Sequence, residues 1–459
     1  MRDFSLAVIG SGSGNTIIPA DPGQGGAALI EAGPFGGTCI NRGCIPSKML
    51  AYTAEVAARV RQAPRFGVAA EVTAVDWPAI RDRVFGRTDR VSADGRDYRA
   101  GQDGVTLFRS RARFTGRREL ALDDGETIRA GQIVIATGSR PVVPPVVAGS
   151  GVGFHTSDTI MRIDALPASL VILGGGYVAV ELAHVFSSLG VGVRIVEAAG
   201  TLLPGLDAGV AERFTALAAQ RWDLHLSANV TGVHRHADGV AVTTQDGATV
   251  TGGLLLVATG RRPNTDGMNL DLAGVGLDED GYVAVDEFGR AADGIWALGD
   301  CIAPFQLKHV ANAEARAVAH NLAHPGDLRP LPHDAVPQAV FSEPQIASVG
   351  ARGQDLTHTP HVRACRAYGD TAYGWALQDT SGFCTIYADP ATGLLLGAHI
   401  IGHQASLLIT PLIQAMAHRQ RLADLARGQY WIHPALSEVV EHTLLALDID
   451  LTVRSGQVH

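Results

Sequence analysis

One arrangement of residues occurs twice in this chain, and it limits the fold more than any other feature. Near the N-terminus the apolar run Leu6-Ala-Val-Ile9 leads into Gly10-Ser-Gly12-Ser-Gly14-Asn15, and residues 27–30 (Ala-Ala-Leu-Ile) follow, closed by Glu31. Further on, residues 170–173 (Leu-Val-Ile-Leu) lead into Gly174-Gly-Gly176, a helical pattern to Leu189, and an apolar run 191–196 closed by Glu197. Strand, glycine turn, helix, strand and acid, in that order, make a dinucleotide-binding unit: the glycines let backbone approach a pyrophosphate, and the acid suits a ribose diol. The acids stand 21 residues after Gly10 and 23 after Gly174. Each copy is followed by an apolar strand ending in Ala-Thr-Gly, at 132–138 and 254–260. Two such modules in tandem are expected. In the first, the third fingerprint position is Asn15, and Pro19, Pro22 and three glycines follow before Ala27, so its helix should be short.

The 459 residues suggest about three domains. A third apolar strand, 294–298, ends at Gly299-Asp300 and precedes a helical pattern from His309 to Ala323, read as a return to the first module. From residue 335 the chain changes to alternating apolar segments (339–341, 383–387, 394–401) and then helical stretches near 405–426 and 435–447, the pattern of an α+β domain. A formal net charge of -9 argues against nucleic-acid or anionic-membrane partners. The most apolar stretch, 166–186, is interrupted by Pro167, three glycines and Glu181, so no membrane span is expected. The first strand begins at Phe4, leaving no room for a secretion signal, and five cysteines are too few for a disulfide framework. A cytoplasmic location follows. Between 81 and 118 lie eleven arginines and five aspartates, read as a solvated helical face, with an anion-attracting patch beside a site as the alternative. Lys48 and Lys308 are the only lysines, a bias that by itself carries no mechanism.

Cys39-Ile-Asn-Arg-Gly-Cys44 holds the only cysteines close in sequence. Five residues apart in a regular helix, their Cα atoms would be about 8.6 Å apart, beyond the roughly 7 Å limit for a disulfide. A bridge therefore needs a break, which Gly43 allows, and Pro46 fits the first turn of a helix starting near Cys44. A cysteine at a helix N-terminus is held toward thiolate and is reactive. Two buried free thiols or half of a zinc site are the alternatives, but no second Cys/His pair with ligand spacing accompanies them and no metal is expected. Cys301, Cys365 and Cys384 are isolated and read as buried. Near the C-terminus His433-Pro434-Ala-Leu-Ser-Glu438 places a carboxylate five residues after a histidine. With Pro434 opening a helix, Glu438 would reach back to orient the imidazole for acid/base work on the dithiol.

Together these motifs resemble the class I pyridine nucleotide-disulfide oxidoreductases, a flavoprotein family that includes dihydrolipoamide dehydrogenase, glutathione, mercuric and mycothione reductases. The resemblance covers essentially the whole chain. It rests on Gly36-Gly-Thr-Cys39 with Cys44-Ile-Pro-Ser-Lys48, Ala136-Thr-Gly-Ser-Arg-Pro141, Ala258-Thr-Gly-Arg-Arg-Pro263, Ala297-Leu-Gly-Asp300 and His433-Pro-x-x-x-Glu438. The chain resembles the mycothione reductases in particular through residues 10–15, 368–375 and 427–434, whereas the tail lacks the cysteine pair of mercuric reductases.

The resemblance implies an α/β fold: two tandem Rossmann-like dinucleotide-binding domains plus a C-terminal α+β dimerisation domain. Residues 1–148 and 271–334 would bind FAD, 149–270 NAD(P)H, and 335–459 would form a homodimer. It implies FAD contacts from Gly10, Gly12, Gly14, Glu31, Thr38, Lys48, Thr137, Gly138, Asp300 and Ala311, and nicotinamide-cofactor contacts from Gly174, Gly176, Glu197 and Gly260. Lys48 would pair with Glu181 beside the flavin, Cys39 and Cys44 would form the redox disulfide, and His433 with Glu438 would serve the partner subunit, through a cis His433-Pro434 bond. The expected activity is reduction of a small thiol disulfide such as mycothione, with dihydrolipoamide dehydrogenase as the alternative. Between Arg194 and Arg213 there is no arginine to receive a 2′-phosphate, and Glu197 can accept from a 2′-hydroxyl, so NADH is expected over NADPH.

Overall fold

The computed structural model describes residues 1–452. In the first module the strands Arg2–Ile9, Ala27–Ile30, Val105–Phe108 and Thr127–Ile135 form a parallel core. Their order is Val105–Phe108, Ala27–Ile30, Arg2–Ile9, Thr127–Ile135, with Val8 opposite both Leu29 and Val134. Ile295–Ala297 then adds in parallel to Thr127–Ile135, so the chain does return to this sheet. The second module repeats the plan. Asp223–His225, Gly192–Val196, Ser169–Leu173 and Leu254–Val257 lie side by side in that order, all parallel. In both, the first strand is central and the strand leading to Ala-Thr-Gly is its neighbour, which brings the glycine turn and the Ala-Thr-Gly loop to one sheet end. Ser139–Pro141 and Arg261–Pro263, which follow those two loops, pair antiparallel and join the modules.

The inner stretches of these strands, residues 7–9, 27–30, 133–135 and 170–173, are apolar and buried, as parallel sheets covered on both faces require. Gly10 and Gly174 occupy equivalent places with φ of 110° and 102°, and a Cβ at either would strike the carbonyl of Ala136 or Ala258. After the first turn the chain makes only a four-residue 3-10 helix, Gly14–Ile17, as the prolines foretold, whereas the second turn opens the full helix Tyr177–Ser188.

The C-terminal domain is a five-stranded antiparallel sheet in the order Pro337–Val340, Gln345–Gly350, Leu395–Gly402, Phe383–Ala388, Val362–Ala367. The stretch expected as one helix near 405–426 is three: Ala405–Leu408, Thr410–Ala417 and Leu422–Arg427. Pro411 falls in the first turn of the second, and Arg419, at φ 50°, ends it. The last helix is Glu438–Leu445, so Pro434 does not open it and lies in the preceding turn. Cys301 and Cys384 are buried, but Cys365, on the outer strand Val362–Ala367, is only half-buried. No helix among the described residues is long and apolar enough to cross a membrane.

Candidate active site

The segment that carries the cysteines folds as two helices broken at Gly43: Gly37–Arg42, which holds Thr38 and Cys39, and Cys44–Gln62. At the break Gly43 takes φ -137° and ψ -123°, far from helical, and the two free thiols are brought within hydrogen-bonding reach. Cys44 is the first residue of its helix and is exposed; Cys39 is half-buried. The bond that the Cys39 thiol donates, the Lys48 ammonium and the backbone N–H at the helix start together lower the Cys44 thiol to about 6. That same bond, with burial and the Cys44 charge, pushes Cys39 up, while Lys308 acts in the opposite sense.

Lys48, one turn into the Cys44 helix, donates to both carboxylate oxygens of Glu181 at 2.6 and 2.8 Å. Glu181, buried on the helix Tyr177–Ser188, also accepts the Phe341 N–H at 3.1 Å, and the ammonium lies 4.9 Å from the Phe341 ring centre. The two modules and the C-terminal domain thus meet behind the dithiol. Nothing in the sequence around Phe341 foretold this contact.

At the glycine turns each acid is locked to its own loop. Glu31 accepts the Ser11 N–H and hydroxyl at 2.9 and 2.6 Å and the Gly33 N–H at 2.7 Å. Glu197 accepts from the Gly175 N–H and, at 2.7 Å, the Ala199 N–H. Glu31, Arg42, Arg96, Arg109 and Asp158 line a cavity of about 720 Å³; Gly174, Gly176, Glu197 and Gly260 line a second, of about 490 Å³. Gly12 lies against Gly37, and Gly14 is packed tightly on Ala136 and Val8.

Within the return segment Asp300 accepts the Ser139 hydroxyl at 2.7 Å, and Ala311 is buried in the helix Lys308–Ala323, against Gly299. Thr137 and Gly138 fall in the Ala-Thr-Gly loop, where their carbonyls accept Asn264 Nδ2 and the Asn264 N–H, both at 2.9 Å. Thr137 Oγ1 and Arg42 Nε are buried with no hydrogen-bond partner. Bare glycine backbone, an acid at each second strand and orphaned polar atoms facing the first module are a donor set that suits two dinucleotides, FAD in the first and a nicotinamide cofactor in the second.

The arginine-rich stretch divides. Arg81 and Arg96 on the helix Trp77–Ala100, and Arg118 beyond it, make surface ion pairs. Arg99 turns inward, donating to Asn15 Oδ1 and the Asn15 carbonyl, both at 2.7 Å. Arg99 therefore anchors the short 3-10 turn through the irregular fingerprint residue, a partnership that sequence spacing does not show.

His433 follows the exposed residues Tyr430 and Ile432, and its bond to Pro434 is cis. Its Nδ1 lies 2.7 Å from Glu438 Oε1, and Glu438 Oε2 accepts the Ala435 N–H at 3.1 Å. Against burial, these bonds hold the Glu438 carboxyl below its usual range. The imidazole is 73% exposed, and among the described residues its only polar partner is Glu438. The single chain does not bring it to the cysteines. Glu438, Glu441 and His442 place ligand-type atoms within 4.8 Å of one another, but Glu438 is committed to His433.

A helix-terminal dithiol backed by a lysine-carboxylate pair, between two dinucleotide folds, is the site of a flavoprotein disulfide oxidoreductase. Residues 4–317 match the family described as pyridine nucleotide-disulphide oxidoreductase, and residues 336–444 its dimerisation domain; the chain belongs to this family, whose members use FAD and a pyridine nucleotide. It is 48% identical to mycothione reductase of Mycobacterium tuberculosis over 97% of this chain and 100% of that one. To dihydrolipoyl dehydrogenase of Haloferax volcanii it is 34% identical, over 95% and 94%. The Cu(II) complex of the HOCl-induced flavoprotein disulfide reductase RclA from Escherichia coli superimposes with a TM-score of 0.86 at 26% identity, covering 97% of this chain and 99% of that one.

Proposed function

We propose that the chain reduces mycothiol disulfide, or a comparable low-molecular-weight bacterial thiol disulfide, with NADH as the preferred reductant. The observation that carries this reading is the Cys39–Cys44 dithiol with its lowered Cys44, in a chain 48% identical to a mycothione reductase. The dihydrolipoyl dehydrogenase relatives stand further off, at 34%. FAD, held by the glycine turn, Glu31, Thr38, Thr137, Gly138, Asp300 and Ala311, supplies the two electrons that the nicotinamide cofactor delivers. Cys44, at its helix N-terminus beside Lys48, is the cysteine that rests as a thiolate. Cys39, on the short helix before the break at Gly43, is the nucleophile toward the substrate disulfide.

His433, oriented by Glu438, protonates the departing thiol. Because its imidazole stands open to solvent among exposed apolar neighbours, we assign it to the active site of the other subunit of a homodimer. The domain limits are accordingly 1–148 with 271–334 for FAD, 149–270 for the nicotinamide cofactor and 335–459 for the dimer. A cytoplasmic location accords with a reductase that draws on NADH. Preference for NADH is supported by the fixed Glu197 and by arginines already engaged: Arg194 with the Thr251 carbonyl, Arg261 with Ser139, and Arg262 with Asp266.

Steady-state turnover against mycothiol disulfide, glutathione disulfide and lipoamide, each with NADH, tests the reading, and mycothiol disulfide should give the highest kcat/KM. Lipoamide as the best substrate would overturn it. Cys39→Ser should abolish disulfide turnover, and a fully active monomer would remove His433 from the partner's site.

A further inference from the structure

Outside the dithiol and the glycine turns, one buried carboxylate spans two domains. Asp207 is 4% exposed, and its oxygens have separate partners. Oδ1 accepts the Gly209 N–H at 3.1 Å and caps the helix Ala208–Ala218. Oδ2 turns to the C-terminal domain, accepting the Gly353 N–H at 2.9 Å and the Tyr387 hydroxyl at 3.1 Å. A serine or asparagine would cap the helix equally well, so capping does not account for the second oxygen. Nor does adhesion between the domains, because Ile346, Ile401 and Phe383 already pack on the apolar core that holds Phe186 and Phe214. Further bonds cross at the same place. Gln354 Nε2 donates to the Leu206 carbonyl at 2.8 Å and its Oε1 accepts the Ala208 N–H at 3.1 Å, while Arg352 Nη1 donates to the Gly205 carbonyl at 3.1 Å. The chain from 205 to 208 is thus held residue by residue from the C-terminal domain. Its other end reaches the second glycine turn. Pro204 lines the cavity of about 490 Å³ together with Gly174 and Glu197. The Leu203 N–H donates to the Gly175 carbonyl at 2.8 Å, and the Gly175 N–H is taken by Glu197. Leu203 makes this bond at φ 54°, a left-handed conformation that a bulky residue keeps only where its surroundings impose it. The crossing bonds at 205–208 impose it from one side.

We propose that Asp207 is a positioning residue for the nicotinamide cofactor: through Oδ2 it latches the segment 203–208 to the C-terminal domain, and through Leu203 that latch fixes the Gly175 peptide of the second glycine turn. The inference rests on the assignment of this turn to the nicotinamide cofactor given above. The C-terminal domain then sets the shape of a cavity to which it contributes no wall. Opening the latch frees Leu203 to leave its left-handed conformation, and the Gly175 peptide loses the donor that holds its carbonyl in place. Asp207→Asn separates the two oxygens. The amide keeps an oxygen for the helix cap but presents an NH2 group where Gly353 and Tyr387 donate, so the crossing bonds are lost and the cap remains.

The test is calorimetric titration of the oxidised holoenzyme with NAD+ and with NADP+, paired with hydrogen exchange read by mass spectrometry of the peptide that carries Leu203, for wild type, Asp207→Asn and Tyr387→Phe. In Asp207→Asn the Kd of whichever nucleotide binds wild type more tightly should rise about fivefold to tenfold, because only a fraction of the molecules then holds the competent turn. Exchange in the Leu203 peptide should be faster in the same variant. Tyr387→Phe removes one crossing donor from the other domain and should move both readouts in the same direction, by less. A role confined to stability would lower the melting temperature and leave Kd unmoved, and an unmoved Kd overturns the proposal. A raised Kd with exchange unchanged at Leu203 overturns it too, since the effect would then bypass the latch. If Asp207→Asn is not recovered as folded holoenzyme, Tyr387→Phe decides on the same two readouts. Neither readout uses a disulfide, so failure of the substrate panel would sink the proposed function and leave this test intact.

Discussion

The choice of nicotinamide cofactor can be worked from the second glycine turn. Glu197 cannot swing aside to admit a 2′-phosphate, because both its oxygens are held, one by the Gly175 N–H and one by the Ala199 N–H at 2.7 Å. No nearby arginine is free to compensate. Arg194 donates to the Thr251 carbonyl at 2.7 Å, Arg261 to the Ser139 hydroxyl and carbonyl at 2.9 and 2.8 Å, and Arg262 to Asp266 at 2.6 Å. A phosphate would therefore face a fixed like charge, whereas a 2′-hydroxyl gains an acceptor. A polar group left so poorly paired costs about 1–3 kcal/mol, or about tenfold to a hundredfold in affinity. The assay is kcat/KM for NADH and for NADPH at a fixed disulfide concentration, in wild type and in Glu197→Arg. Wild type should favour NADH by about tenfold or more. In the variant the ratio should move toward NADPH, although NADH efficiency also falls because the turn loses an acceptor. A wild-type ratio favouring NADPH refutes the reasoning, and an unchanged ratio in the variant removes Glu197 as its cause.

Three further outcomes are expected. Because the folded site favours ionised Cys44, its thiolate should persist above about pH 6 and be lost below it, so the long-wavelength absorbance of the thiolate against flavin in two-electron-reduced enzyme should titrate near 6; a midpoint near 9.0 would contradict this. Glu438→Gln replaces the carboxylate that holds His433 Nδ1, and losing a charge-assisted bond of about 1.5–3 kcal/mol should cut kcat by about tenfold to a hundredfold with little change in KM; an unaltered kcat would show that the imidazole needs no orienter. Arg99→Ala leaves Asn15 and the short 3-10 turn without their anchor, and should lower the melting temperature by about 5 °C; an unmoved transition would mean that the turn holds itself.

What was legible in the sequence and what was not divide along one physical line. The paired modules, the short first helix, the break at Gly43 and the Cys44 helix start all follow from local signals: strand hydrophobicity, glycine and proline placement, and the reach of a few residues. The His433–Glu438 bond spans five residues, and spacing alone suggests it, although the supposed helix at Pro434 begins only at Glu438. The misjudged parts of the C-terminal domain also have local causes. The strand Val362–Ala367 carries two arginines on the sheet edge and so lacks an apolar pattern, and the helix expected across 405–426 breaks first at Ile409, ahead of Pro411, and again at Arg419, which adopts a left-handed conformation. The contacts that tune the site are of another kind. Lys48 and Glu181 are 133 residues apart, Arg99 and Asn15 are 84 apart, and Lys308 and Ser13 are 295 apart. Only the first of these was reached beforehand, and through family resemblance. Each partner sits at the end of an element that its own neighbourhood foretells, but the meeting is set by sheet order. Parallel strands deliver their C-terminal ends to one edge whatever their separation along the chain. An electrostatic site built on such an edge is therefore assembled from residues with no mutual sequence signal, which is why a lysine of the first module and a carboxylate of the second meet behind the dithiol.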